Sequence, residues 1–172
     1  GEYILKTDAH CMFDEGYDLK LLSTIEDNWV VIPRRYKLDV DKWEVFDEAP
    51  IDYEKLVRTP EKITGVHWNQ RASSRKDILI DETMTFQGSC YVMSRKHWDW
   101  LGGLQTEGYG DFFQEPNEIA LKTWLGGGKV MVNKTTWYAN KHRKYGRTYK
   151  YSKDAMKKSN DYATDYWVNN RW

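Results

Sequence analysis

Cysteine is scarce in this chain: Cys11 and Cys90 stand alone and far apart. Two such residues make no disulfide framework, so the expected setting is a reducing, cytoplasmic one. An excess of one charge sign is missing too, with 26 Lys and Arg against 26 Asp and Glu. Bulk electrostatics therefore argue for neither a nucleic acid nor an anionic membrane as partner. No apolar run approaches the roughly 20 residues that cross a bilayer, and nothing shaped like a secretion signal is visible, so no membrane segment is expected. Internal repeats are absent, which excludes solenoid and propeller arrays.

Aromatic residues, by contrast, are plentiful, with nine Trp and twelve Tyr. Their half-polar rings suit both cores and carbohydrate-lined clefts, the core being the ordinary place for most. At 172 residues the chain reads as a single domain, 1–172, with one sizeable core. Tyr3-Ile4-Leu5 predicts a short buried strand. The turn Phe13–Tyr17 follows, and Asp18 is placed to cap a helix through Leu19, Leu21, Leu22 and Ile25. Asn28–Pro33 reads as a second buried strand, ended by its proline. From about 34 to 76 the pattern loosens around Pro50 and Pro60, as in a long insertion with short strands.

Phe86–Ser94 predicts a further strand, in which Gly88 either admits a close neighbour or marks a bulge. Ser94 is placed to cap a helix through His97, Trp98 and Leu101 that Gly102-Gly103 ends. Pro116 suits the first turn of a helix over 115–125, stopped by Gly126-Gly127-Gly128, with Leu121, Trp124 and Leu125 on one buried face. Lys129–Val132 is another strand, and residues from about 150 to 172 form a C-terminal tail. Strands alternating with helices predict an α/β domain with a mixed sheet flanked by helices.

Chemistry-bearing residues begin at Asp8 and His10. Residues two apart in an extended chain point the same way, so carboxylate and imidazole project together from the strand end. A hard oxygen beside a borderline nitrogen suits a divalent ion such as Mn2+ or Mg2+. Glu115 and Glu118 fit two readings: acidic residues favoured by the dipole of a helix's first turn, or working carboxylates. His67 and His97, each beside a tryptophan, read as packing or surface residues. The basic, tyrosine-rich run from Lys141 to Lys158 is a solvated face, or a holder for a phosphate-bearing donor or a nucleic acid. Asn133-Lys134-Thr135 matches a glycosylation sequon by accident.

Four stretches in order carry a resemblance: Asp8-Ala9-His10-Cys11; Gly88-Ser89-Cys90; Glu115-x-x-Glu118-Ile119 with Lys122-x-Trp124 and a glycine pair; and a strand leading to a histidine. Together, over about Gly1 to Tyr149, they resemble the catalytic half of a family 2-type glycosyltransferase. The pattern is similar to that of the polypeptide N-acetylgalactosaminyltransferases, where Asp-Ala-His-Cys precedes Trp-Gly-Gly-Glu-Asn-x-Glu and Gly-His-Val-Phe-Arg. Phage and bacterial relatives look closer over the aromatic C-terminal half, so a bacterial or phage-encoded protein is expected rather than a secretory one.

The resemblance implies a GT-A fold that uses a nucleotide-diphosphate sugar, a UDP-sugar foremost, with Mn2+ or Mg2+. It implies Asp8, His10 and His142 as metal ligands and Glu115 and Glu118 as the catalytic carboxylates, the first at the sugar or acceptor and the second in support. It further implies Arg143, Lys144 and Tyr145 at the diphosphate, and Gly88, Gln114 and Trp124 at the substrate. One departure concerns the last ligand. Counting back from Arg143 by the family's spacing lands on Asn140, so Asn140 is the alternative to His142. The other departure is that the metal motif starts at residue 8, which leaves no room for the family's nucleotide-gripping half. The expectation is an N-terminally incomplete fold, either a fragment, half of a split protein with an N-terminal partner chain, or a remnant, with an open sheet edge inviting association. A non-catalytic binding module is the rival reading, and a nucleic-acid acceptor a third.

Overall fold

The computed structural model describes residues 1–60, 62–105, 107–109, 114–141 and 152–170. The strands are β1 Tyr3–Thr7, β2 Cys11–Phe13, β3 Trp29–Asp39, β4 Glu44–Val45, β5 Glu54–Arg58, β6 Ile63–His67, β7 Ile80–Glu82, β8 Cys90–Ser94 and β9 Lys129–Lys141. The helices are α1 Tyr17–Leu22, α2 Asn69–Ser74, α3 Arg95–Leu101, α4 Glu115–Leu125 and α5 Lys153–Ala163, which runs into a π-wound turn, Thr164–Asn169.

Three apolar triplets form the centre: Val30-Val31-Ile32, Tyr91-Val92-Met93 and Val130-Met131-Val132, all buried. Strand side chains alternate between faces, so a run apolar at every position needs both faces covered. Val30, Ile32, Tyr91, Met93, Val130 and Val132 meet Ile119 and Ala120 of α4 on one face. Val31, Val92 and Met131 meet Leu21 of α1 on the other. Each such side chain contributes about 1.5–3 kcal/mol by leaving water.

The main sheet runs β1-β8-β3-β9-β2, with β4 on β3 and β7 on β9, while β5 and β6 form a separate hairpin. β3 and β9 are parallel and the other pairs antiparallel, giving the expected mixed sheet flanked by helices. Consecutive strands β1 and β2 stand at opposite ends of this order, joined only by Asp8-Ala9-His10. An extended chain covers at most about 3.6 Å per residue. That short segment therefore bridges the ends of β8 and β9 at close range.

Local signals explain the helix ends. Ser94 caps α3 by accepting from the His97 amide at 3.0 Å, and Gly102, at φ 71°, ends it. Pro116 opens α4 and Gly126 closes it. Other expectations need correction. Gly16, at φ 65°, precedes α1, while Asp18 lies within its first turn. Of Phe86–Ser94 only Cys90–Ser94 is strand. Leu125 projects to solvent instead of joining a buried face.

Pro33 does not end its strand. Lacking an amide donor, it marks a slip instead: Pro33 faces Asn133, yet Arg34 faces Trp137, and β3 continues to Asp39. On β9 the slip leaves Lys134-Thr135-Thr136 without ladder partners on β3. Lys134 turns inward and donates to the Tyr53 hydroxyl at 3.1 Å and the Arg75 carbonyl at 2.7 Å. Tyr53 donates to Asp81 at 2.9 Å. Burial opposes the Asp81 charge, but Arg75 and Tyr53 outweigh it and hold the carboxyl at about 2. This polar seam fastens much of the 34–76 segment to the sheet. Asn133 is fully buried, with its amide on the Lys20 carbonyl, which leaves the sequon unreachable as folded.

β1 forms as predicted but is not buried. It is an edge strand, with Tyr3 and Leu5 at 43% and 40% exposure. In the last described stretch Ala163 and Trp167 pack with Ile63, Tyr109 and Leu121. Lys153, Lys157 and Lys158 face solvent.

Candidate functional site

Alternation along β1 sets one edge of the site. Tyr3, Leu5 and Thr7 are exposed, while Ile4 and Lys6 lie on the half-buried side, and Asp8 and His10 continue that spacing. Asp8 is oriented by its own amide, which donates to the Ser89 carbonyl at 2.9 Å. Its Oδ2 lies 3.8 Å from His10 Nε2, both side chains about a third exposed. Bonds of about 2.1 Å let two donors up to about 4.2 Å apart share one ion, so this carboxylate–imidazole pair fits a divalent cation. Asp8 Oδ1 is engaged by Lys6 Nζ at 2.8 Å, and Lys6 also donates to the Gly88 carbonyl.

The opposite wall is the end of β9. Asn140 faces Cys11 in the β2–β9 ladder, and the Lys141 amide donates to the His10 carbonyl at 3.3 Å. The Asn140 amide nitrogen lies 3.3 Å from Cys11 Sγ, and burial pushes that thiol's pKa up. Asn140 is thus adjacent to the motif, as the alternative third ligand must be. Among the described residues no group of three or more His, Cys, Asp or Glu converges as a metal cluster. His142, Arg143, Lys144 and Tyr145 lie outside the described residues.

Gly88 joins this edge to α4. A Cβ on Gly88 would stand 3.3 Å from Glu115 Oε2 and 3.6 Å from Pro116 Cδ. A side chain there would press on that carboxylate, which glycine leaves undisturbed. Glu115 is buried, and its Oε1 accepts from the Tyr91 hydroxyl at 2.8 Å. Burial, then the Glu115 charge, push the Tyr91 phenol far up, so it remains a donor. The carboxylate is held by one strong bond with its other oxygen toward Gly88, an arrangement suited to developing positive charge or to accepting a proton.

The remaining predicted residues divide. Glu118 is 3% exposed, and its Oε1 takes both Lys122 Nζ and the Gln105 amide at 2.7 Å. These contacts fasten α4 to Gln105 of the preceding loop. Gln114 is buried, accepting from Asn117 at 3.0 Å and donating to Asn160 of α5 at 3.2 Å. It ties α4 to α5. The Trp124 indole donates to the Met84 carbonyl at 2.9 Å and its ring packs on the core. Nine residues along a helix rising 1.5 Å each, it sits at the far end of α4 from Glu115. His97 is buried against Thr123, as a packing residue, and His67 lies beside Arg35.

Lys6 and Tyr91 belong to the site and were missed as functional positions. Lys6 stands two before Asp8, so strand alternation alone puts it on the same side. Tyr91 lies inside an apolar run and looks like core from sequence.

No family model matches the chain. It is similar to mouse polypeptide N-acetylgalactosaminyltransferase 12, 27% identical over 143 residues covering 76% of this chain and 23% of the mouse protein. Among solved structures it matches the crystal structure of GalNAc-T7 with UDP, GalNAc and Mn2+, with a TM-score of 0.67 at 20% identity, over 83% of this chain and 28% of that one. The chain thus spans about a quarter of the length of these relatives. The α/β fold is GT-A-like, and the resemblance to N-acetylgalactosaminyltransferases that the motifs carry is borne out.

Proposed function

We propose that this chain is the metal- and acceptor-side portion of a glycosyltransferase that moves a sugar from a nucleotide-diphosphate sugar, a UDP-sugar foremost, to an acceptor. One observation carries the reading: Asp8 and His10, Gly88, and Glu115 form a single connected constellation. The likeness to an enzyme solved with UDP, GalNAc and Mn2+ supports it. Asp8 and His10, with Asn140 or His142, would hold Mn2+ or Mg2+. When bound, the ion supplies positive charge beside the leaving diphosphate.

Glu115 faces the sugar or acceptor, where it favours an oxocarbenium-like centre or takes the acceptor hydroxyl's proton. Tyr91 fixes its direction, and Glu118 with Lys122 fixes the helix it stands on. Arg143, with Lys144 and Tyr145, meets the diphosphate. The acceptor is open to identification, the exposed lysines of α5 admitting a nucleic acid among other classes.

Titration calorimetry with UDP, with and without Mn2+, tests this. UDP binding that requires Mn2+ and disappears in Asp8→Ala is expected. Binding indifferent to both Mn2+ and Asp8 counts against the assignment. A second reading, a non-catalytic binding module or a subunit of a split protein, is favoured by Asn140 standing where the resembled family has histidine. It predicts no metal-dependent nucleotide binding at all.

A further inference from the structure

Lys6 is the one cation bonded to Asp8 among the described residues, and nothing in the proposed reaction uses it. Its ammonium bonds Asp8 Oδ1 at 2.8 Å and the Gly88 carbonyl, which sits directly before Ser89, the residue that orients the Asp8 amide. Two oxygens on two segments therefore converge on one nitrogen, and both are the hard donor type that a divalent ion also takes. The side chain is 30% exposed, its stem lying along the half-buried side of β1. The head is thus held at the site rather than free in solvent.

We propose that Lys6 is a built-in competitor for the metal: its ammonium and a divalent ion exclude one another at Asp8, so Lys6 sets how tightly the site takes the ion. The inference rests on the metal-site reading above and adds the residue that tunes it. An ammonium at hydrogen-bond distance from a carboxylate oxygen repels a second cation and blocks its approach to that oxygen. Metal binding must move Lys6 off Asp8, and the lost ion pair and hydrogen bond weaken the net affinity. The competition decides at what concentration of ion the site fills.

The test is Mn2+ binding to the whole chain, followed by electron paramagnetic resonance of free Mn2+. Lys6→Met is expected to bind Mn2+ roughly three- to tenfold tighter than the parent, the size of one half-exposed ion pair plus one hydrogen bond. Asp8→Ala should abolish binding in either background. Equal or weaker binding by Lys6→Met overturns the role of Lys6 while leaving the metal site standing. No binding by either protein overturns both. A second measurement uses the unaltered chain: Mn2+ should raise labelling of Lys6 by an amine-reactive reagent, read by mass spectrometry relative to Lys153 and Lys158. Unchanged Lys6 labelling at saturating Mn2+ overturns the proposal even if the methionine variant does not fold.

Discussion

Gly88 and Glu115 approach so closely that a methyl group on the glycine would stand 3.3 Å from the carboxylate oxygen. That approach brings the segment before β8, whose Ser89 carbonyl takes the Asp8 amide, against the helix carrying Glu115. It gives the Gly88-Ser89 pair a purpose that a bulge alone would not.

Gly88→Ala should press on a carboxylate that Tyr91 holds in place. Overpacking of this kind costs about 1–3 kcal/mol. Denaturant unfolding should show that loss, together with weaker transfer in the active protein. Wild-type stability and turnover would mean that Glu115 has room to give.

Tyr91→Phe removes the only hydroxyl bonded to Glu115 Oε1 among the described residues. A buried charged oxygen without its donor costs about 1–3 kcal/mol. The melting temperature should fall, and fall less in Tyr91→Phe combined with Glu115→Leu, where no charge is left unpaired. A double variant as unstable as the sum of both singles would contradict the coupling.

Asn140 faces Cys11 in the ladder, one residue on from His10. Asn140→His should therefore add an imidazole to the Asp8–His10 pair and tighten Mn2+ binding. Calorimetry reads this directly. Unchanged affinity moves the third donor elsewhere, with His142 first in line.

Burial lowers the pKa of His97, which sits against Thr123. The unfolded state, with a histidine near 6.5, then takes up a proton before the folded state does. Stability from this group is complete above about pH 6.5 and declines as pH falls toward the lowered folded value, by at most about 1.4 kcal/mol per pH unit. Unfolding midpoints at pH 7.5 and 5.5 should differ in that direction, and His97→Gln should flatten the difference. An equal slope in both proteins would assign it to other groups.

Much of the site was legible because its parts are local. Asp8 and His10 share a side by strand alternation, and Glu115 stands directly before Pro116 in a helix's first turn. The direction of Trp124 was not legible, since a motif position says nothing about which way a helix turns its far end, and there the indole found the Met84 carbonyl. Pro33 misled. It removes one ladder bond but does not stop a strand whose partner can slip past it.

By itself the sequence determined the elements: apolar triplets that need two covered faces, Ser94 and Gly102 at the ends of α3, and a carboxylate and imidazole at one strand tip. Such features arise from neighbours a few residues apart, where backbone geometry is nearly fixed. Only the tertiary structure decided that β1 is an exposed edge, that Gly88 lies beside Glu115, and that Lys6 reaches the Gly88 carbonyl. Those relations join residues tens of positions apart, and no periodicity encodes which distant oxygen an ammonium will meet.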